Sequence, residues 1–442
     1  MDSHINNLKY KIRRDGHMLL KDVEKHVCGS EKNGIVYPLY DGYSLANVSN
    51  TALDLLGAKP VGKTLDKSII KHIDTKNIKK IVVLLLDGFG YDMFLKSLEY
   101  ASFFRKVADN GIFAPITSGF PSTTAASITT INSGLTPKEH GLIEWTLYFD
   151  EIDQIINTLP FTSLTNESLK GKENPKILYS GITIYGNAKK SKVNTYTLLD
   201  SRIASSEYNK QFSSKKTSET HIKNSDFAIK LRRILENEKD RSYFYVYLNG
   251  IDSLAHAYGS HTEESEAEIL SISHSLEDGF LSKLSKKTAS ETLLIITADH
   301  GHTSIKPENV LYLNKYKKLN SYYDLGRNGK PILPYGGPRD VFMHIKPEKL
   351  EEAYAFLSKK LSKTAKVVKL NDSVIKTLFG NEKPNKKFKS RVGNLLILPY
   401  SGRAVWYKHL KESEWHYVGV HGGLSPEEML IPFAAVRLSK IL

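Results

Sequence analysis

The chain has 442 residues, a net charge of +14, 40% hydrophobic and 25% charged residues, and a single cysteine, Cys28. That length exceeds one simple core and calls for several lobes, or for one large sheet with inserted subdomains. One cysteine excludes an intrachain disulfide and a cysteine-rich zinc module, so any transition metal must be held by His, Asp and Glu.

Residues 1–75 are weakly patterned, with a turn at Tyr40-Asp41-Gly42-Tyr43 and a short helix from Asn47 to Leu56, and are expected to pack on the core. The run Ile81–Leu86 is apolar throughout and β-branched at its start, which predicts a strand covered on both faces. It ends at Asp87-Gly88, and a helical pattern follows from Tyr91 to Val107. Gly119–Ile131 opens with Pro and hydroxyl residues and continues with small residues at helical spacing, predicting a loop that feeds a helix N-terminus. These elements make the first part of a catalytic core, 76–150. Residues 151–240, rich in Ser, Asn, Lys and Thr, are expected to form an inserted cap.

The core resumes over 241–319 with a strand at Tyr243–Leu248, a long helix from Glu263 to Leu284 and a strand at Leu293–Ile296. A second insertion, 320–415, carries strands at Val341–Ile345 and Asn394–Leu398, a helix from Pro347 to Leu361, and a Lys-rich stretch, Gly380–Arg391, expected to be a mobile loop. Residues 416–442 return to the core through His421-Gly422-Gly423 and a strand or turn near Met429–Val436. Strands alternating with helices predict an α/β fold, a mainly parallel sheet flanked by helices. No run approaches the ~18 apolar residues of a membrane span, so no membrane partner is expected. The N-terminus lacks the apolar stretch of a secretory signal, which makes the cytoplasm the expected compartment.

Chemistry-bearing residues recur where these strands end. Asp299-His300 closes the strand that begins at Leu293, Asp87 follows Leu86, Asp252 and His256 follow the Tyr-rich strand, and His421 lies in a glycine-rich turn. Each has an ordinary reading as a turn residue, a helix cap or a surface pair. Open α/β sheets, however, place reactive groups outside the carboxyl ends of their strands. Asp252 and His256 are four residues apart, so one helical turn puts them on one face. Three Asp and three His suffice for two divalent ions with open positions. Zn²⁺ accepts both donor types, and Mn²⁺ is the alternative occupant. Two ions ~4 Å apart suit in-line displacement at phosphorus. The nucleophile should then stand at a helix N-terminus, which favours a phosphate, and Ser122-Thr123-Thr124 occupies that place.

In this order the residues resemble the alkaline phosphatase superfamily, in particular its type I phosphodiesterase / nucleotide pyrophosphatase family. Phe120-Pro-Ser-Thr-Thr124 through Gly134-Leu-Thr-Pro-Lys-Glu-His140-Gly141 is similar to the family's nucleophile block. Asp252-Ser-Leu-Ala-His256-Ala-Tyr-Gly259, Ala298-Asp299-His300-Gly301 and the segment from His421 to Pro432 are similar to its ligand blocks. The resemblance implies that Asp87, Asp299 and His300 hold one zinc and that Asp252, His256 and His421 hold the other. It aligns Thr124 with the nucleophile, Thr123 being one residue off, and implies a phosphothreonine intermediate. The family's phosphate-binding Asn falls on Trp145, whose indole donates one hydrogen bond and cannot imitate an amide. Arg339 or a backbone amide is the expected substitute in clamping the substrate.

The implied substrate is a small, nucleotide-like phosphodiester or phosphoanhydride. A phosphomonoesterase or phosphonate hydrolase of the same superfamily is the alternative. The positive charge fits attraction of anionic substrates. A basic nucleic-acid-binding protein with structural metals is a more distant reading. The lysines do not interleave with aromatics as such a surface requires, so no obligate nucleic-acid partner is expected.

Overall fold

The computed structural model describes residues 18–212, 217–410 and 415–442. Its main sheet has seven strands: β1 (Lys80–Leu86), β2 (Ile112–Thr117), β3 (Asn194–Asp200), β4 (Thr217–His221), β5 (Ser242–Leu248), β6 (Thr292–Thr297) and β7 (Leu430–Arg437). They lie in the order β2-β7-β6-β1-β5-β3-β4. β7 runs antiparallel to both its neighbours, and the other pairings are parallel. This is the mainly parallel α/β sheet that the alternating pattern predicts. β1, β5 and β6 are buried along their whole length, which is why they read as continuous apolar runs. Leu86 pairs with Leu248 and Leu85 with Thr297, so the three central strands end level. The residues that follow each of them emerge at one edge.

Helices α1 (Tyr91–Ser97), α2 (Ser102–Asn110), α3 (Thr124–Ser133), α4 (Gly250–Tyr258) and α5 (Glu263–His274) surround this sheet. The single helical pattern from Tyr91 to Val107 is in fact two helices. The Ser97 hydroxyl bonds back to the Phe94 carbonyl, and the Ser273 hydroxyl accepts the Phe103 N–H at the start of α2. The expected helix to Leu284 likewise stops at His274 and continues as a π turn, Ser275–Phe280, and a 3-10 turn, Leu281–Lys283. Gly279 lies in that turn, and a β-carbon there would stand 3.2 Å from Ala228 Cβ, so its absence allows close packing.

Residues 151–240 are not one cap, because β3 and β4 extend the main sheet. Thr195, Thr197, Leu198 and Leu199 are buried, whereas Thr217 and Ser218 on the outermost strand are exposed. An edge strand needs few apolar residues, and this hides it in a polar composition. Outside the sheet lie helices, among them Ile184–Lys190 and Asn224–Asn237, and two strands, Gln154–Asn157 and Thr162–Ser163, of a small antiparallel unit that begins at Thr146–Phe149. Gly380–Arg391, expected as a mobile loop, contains a helix at Lys386–Arg391 with Phe388 and Arg391 buried. Arg391 donates to the carbonyls of Gly141 and Ile177 and to Glu151, tying the segment to the core.

The second insertion has its own four-stranded antiparallel sheet, in the order Tyr335–Gly337, Asp340–Met343, Leu395–Pro399, Ala365–Lys369. A helix, Leu350–Leu361, packs on it over a separate core that includes Met343, Ile345, Leu357 and Ile397. The N-terminal segment, from Met18 onward, packs on the main core through Val23 and Val27, and Leu20 donates to the Phe113 carbonyl; its first 17 residues lie outside the described part. Among the described residues no helix is long and apolar enough to cross a membrane.

Candidate active site

All six sequence-identified ligand residues and Thr124 meet at the level ends of β1, β5 and β6. Asp87 follows β1 directly, and Asp299-His300 follows β6 after Ala298. Asp252 and His256 lie on α4, just after β5, and His421 follows a two-residue strand, Gly419–Val420, that pairs with Thr303–Ser304. Thr124 is the first residue of α3, and Thr123 precedes it in extended conformation.

Three groups of side chains converge closely enough to hold an ion: Asp87, Asp299 and His300; Asp252, His300 and His421; and Asp252, His256 and His302. In the first, His300 Nε2 lies 3.4 Å from Asp87 Oδ1 and 3.4 Å from Asp299 Oδ2. Around Asp252 Oδ1, His302 Nε2 stands at 2.9 Å, His256 Nε2 at 3.5 Å and His421 Nε2 at 3.8 Å. Thr124 Oγ1 is 3.1 Å from His300 Nε2, and Thr124 lines one cavity with Asp252, His256 and His421.

The second ring nitrogen of each proposed histidine ligand is already committed. His256 Nδ1 is 2.8 Å from the Gly419 carbonyl, His300 Nδ1 is 3.1 Å from Gly301 and His421 Nδ1 is 3.0 Å from Ser122. A carbonyl only accepts, so each Nδ1 carries the proton and each Nε2 presents a lone pair to the cluster. The carboxylates are arranged the same way. Asp87 Oδ2 accepts from the Tyr247 hydroxyl, and Asp299 Oδ1 accepts from the backbone N–H of Gly88 and of His300. Their other oxygens, Asp87 Oδ1 and Asp299 Oδ2, are buried without a partner. Those two orphaned oxygens face His300 Nε2, so the donor set fits a divalent cation.

The electrostatics point the same way. Burial, then Asp299 and Asp252, push the Asp87 carboxyl well above the usual range. Burial also opposes the Asp252 carboxylate, but His256, His302 and His421 outweigh it and hold Asp252 well below that range. Burial and the three neighbouring histidines push His421 well down. Desolvated acids and imidazoles this crowded are characteristic of a functional site.

Sequence reasoning assigned no role to His302 or Tyr247. A second imidazole two residues after His300 and a tyrosine one residue before the end of β5 were the available signals. Gly88 makes room for His302: a β-carbon there would lie 2.8 Å from His302 Nε2.

A cavity of about 510 Å³ opens over Thr124, Asp252, His256 and His421, with Trp145 and Tyr417 in its wall. Trp145 is 44% exposed. Arg339 is not a substrate contact. It is buried, with Nε and Nη2 donating to Glu428 at 2.9 and 2.8 Å and Nη1 donating to the carbonyls of Tyr400 and Arg403. The Glu428 carboxylate takes up its charge, so Arg339 does not reach the cavity.

A model of the type I phosphodiesterase / nucleotide pyrophosphatase family matches residues 81–424. The chain belongs to that family. It is therefore a phosphoric ester hydrolase. A Schizosaccharomyces pombe protein described as an uncharacterized pyrophosphatase/phosphodiesterase is 22% identical over 361 residues, covering 78% of this chain and 69% of that protein. Murine ectonucleotide pyrophosphatase/phosphodiesterase 5 superposes with a TM-score of 0.60 at 18% identity, covering 80% of this chain and 87% of that one. The human protein gives the same score and identity over 81% and 87%. An inactive variant of the murine protein has been solved in complex with AMP. At this identity the likeness to the solved structures shows the fold.

Proposed function

We propose that the chain hydrolyses phosphodiester or phosphoanhydride bonds in a nucleotide-like substrate, with Thr124 as nucleophile and two divalent ions, Zn²⁺ in the first instance, as cofactors. The observation that carries this reading is the Thr124 hydroxyl at 3.1 Å from His300 Nε2, the atom that faces the two unpartnered carboxylate oxygens of Asp87 and Asp299, in a cavity that Asp252, His256 and His421 also line. Asp87, Asp299 and His300 would hold one ion, and Asp252, His256 and His421 the other. Bound there, the ions supply the charge that lowers the pKa of a hydroxyl or water and offsets charge building on phosphoryl oxygens. The Thr124 oxygen attacks phosphorus as its proton passes to solvent, and the leaving group departs on the opposite side and takes up a proton from water. Water then hydrolyses the phosphothreonine and regenerates Thr124. The N-terminus of α3 directs backbone N–H groups at the phosphoryl group.

A diester is favoured over a monoester because no Lys or Arg is among the described residues that line the cavity. The two ions would serve either ester, but beyond them no cationic side chain among those residues is there to offset a monoester's second charge, whereas a diester carries one charge. The AMP complex of the murine relative supports a nucleotide-like substrate. The test is a comparison of bis-p-nitrophenyl phosphate, a nucleotide p-nitrophenyl ester and p-nitrophenyl phosphate on metal-loaded protein. Faster diester cleavage, abolished by chelator, is expected. Faster monoester cleavage would move the assignment to a phosphomonoesterase.

A further inference from the structure

We propose that Glu144 and Asp340 form a protonated carboxyl pair from which Glu144 donates a hydrogen bond to the phosphoryl group held at Thr124. The proposal rests on the reading of the site as a phosphoryl-transfer centre. Glu144 is 2% exposed and lines the cavity together with Thr123 and Thr124. Asp340, at the start of its strand, is fully buried behind it. Glu144 Oε2 accepts the Trp145 N–H. Glu144 Oε1, both oxygens of Asp340 and the Thr123 hydroxyl lack a well-aligned hydrogen bond.

These groups face one another. The Glu144 carboxyl adjoins that of Asp340 and the Thr123 hydroxyl, and the Gly337 backbone N–H approaches Asp340. Among the described residues no base neutralises them. Arg339 immediately precedes Asp340, but its guanidinium is bound to Glu428, which also accepts the Gly423 N–H and adds a further negative charge facing Asp340. Asp252, His256 and His421 lie elsewhere on the wall of the same cavity. Glycine backbone closes over the pair: β-carbons at Gly337 and Gly422 would stand 2.7 and 2.6 Å from Asp340 Oδ1.

Two carboxylates in contact have acceptors only, and burial without a cation is costly for both. A proton between them turns the clash into a hydrogen bond. Burial is the main cause that pushes Asp340 well above the carboxylate range and Glu144 up to about 7. A protonated cation-free pair is favoured over a bound ion because Glu428, the third carboxylate nearby, already has its oxygens occupied. Protonated, Glu144 is a neutral donor in a wall that holds no cationic side chain among its described residues. Deprotonated, it repels the phosphoryl group. Activity should therefore fall as pH rises through the Glu144 pKa.

The experiment measures kcat/KM for bis-p-nitrophenyl phosphate against pH in metal-loaded wild type, Glu144→Gln and Asp340→Asn. Alongside, the carboxylic C=O infrared band is titrated without substrate. An amide donates at every pH, so the ratio of Glu144→Gln to wild type should climb roughly tenfold per pH unit above ~7. A carboxylic band should vanish from wild type over the same range and be absent from Glu144→Gln. A wild-type-like alkaline fall in Glu144→Gln, or no titrating band, overturns the proposal. So does loss of one metal ion per chain in both variants, which would make the pair a cation site. If wild type cleaves no diester, the functional reading fails, while the infrared titration still decides the protonation of the pair.

Discussion

Thr124 Oγ1 lies 3.1 Å from His300 Nε2, and that nitrogen is the same atom that faces the orphaned oxygens of Asp87 and Asp299. The hydroxyl thus shares its environment with a ligand set rather than with a lone general base. His300 Nδ1 is committed to the Gly301 carbonyl. Thr124→Ala should therefore lower kcat by at least ~10³-fold while metal content per chain stays at the wild-type level. Thr123→Ala, which removes a hydroxyl facing Glu144, should cost far less. Rate measurements with metal analysis on both variants decide between the two threonines, and equal losses would defeat the assignment.

His302 is the seventh residue of the cluster, 2.9 Å from Asp252 Oδ1 and fully enclosed. A histidine that orients a ligating carboxylate affects affinity more than chemistry. His302→Ala should weaken metal binding by roughly 10–100-fold. Activity should return as the metal concentration is raised. Competition with a chromogenic chelator gives the affinity directly, and a loss of kcat that saturating metal does not restore would contradict this role.

How much of this was legible depended on where each signal lies. β1, β5 and β6 are buried on both faces, so their sequences are uninterrupted apolar runs, and the ligands follow within a few residues. β3 shows as a strand-like run at Tyr196–Leu199, but β4 is a partly exposed edge strand of polar residues, which hides that the two extend the main sheet. Asp87 and Asp299 could be read from their own strand ends. His302 acquires meaning only from Asp252, 50 positions away, and Tyr247 only from Asp87, 160 positions away. Arg339 was misjudged for the same reason: Glu428, which takes its charge, is 89 residues on. Pairings of that span depend on topology, which no local pattern encodes.

The Arg339–Glu428 pair ties the second insertion to the segment leading into β7 and is buried on both sides. Its worth lies in being complete, since removing one partner strands a charge in the interior. Arg339→Ala should lower unfolding free energy by about 3–5 kcal/mol. Arg339→Met combined with Glu428→Leu should recover much of that loss. Urea unfolding of the single and double variants tests this. A large rise in KM with undiminished stability would instead restore Arg339 as a substrate contact.

His140 sets an acid limit on stability. It is buried, its Nε2 lies 3.0 Å from Thr130 Oγ1, and its Nδ1 accepts the Leu142 N–H at 3.1 Å. That acceptor role requires the neutral ring. Burial, aided by the positive Arg391, pushes its pKa down from 6.5 to about 3. Between those values the unfolded chain takes up a proton that the folded chain refuses, so stability falls as pH drops. The slope for one such proton is about 1.4 kcal/mol per pH unit. Unfolding free energies measured from pH 7 to 4 should show this fall, and His140→Gln should remove about one proton's worth of slope. An unchanged slope in the variant would mean that His140 titrates in the folded protein as it does in water, contrary to its bond with Leu142.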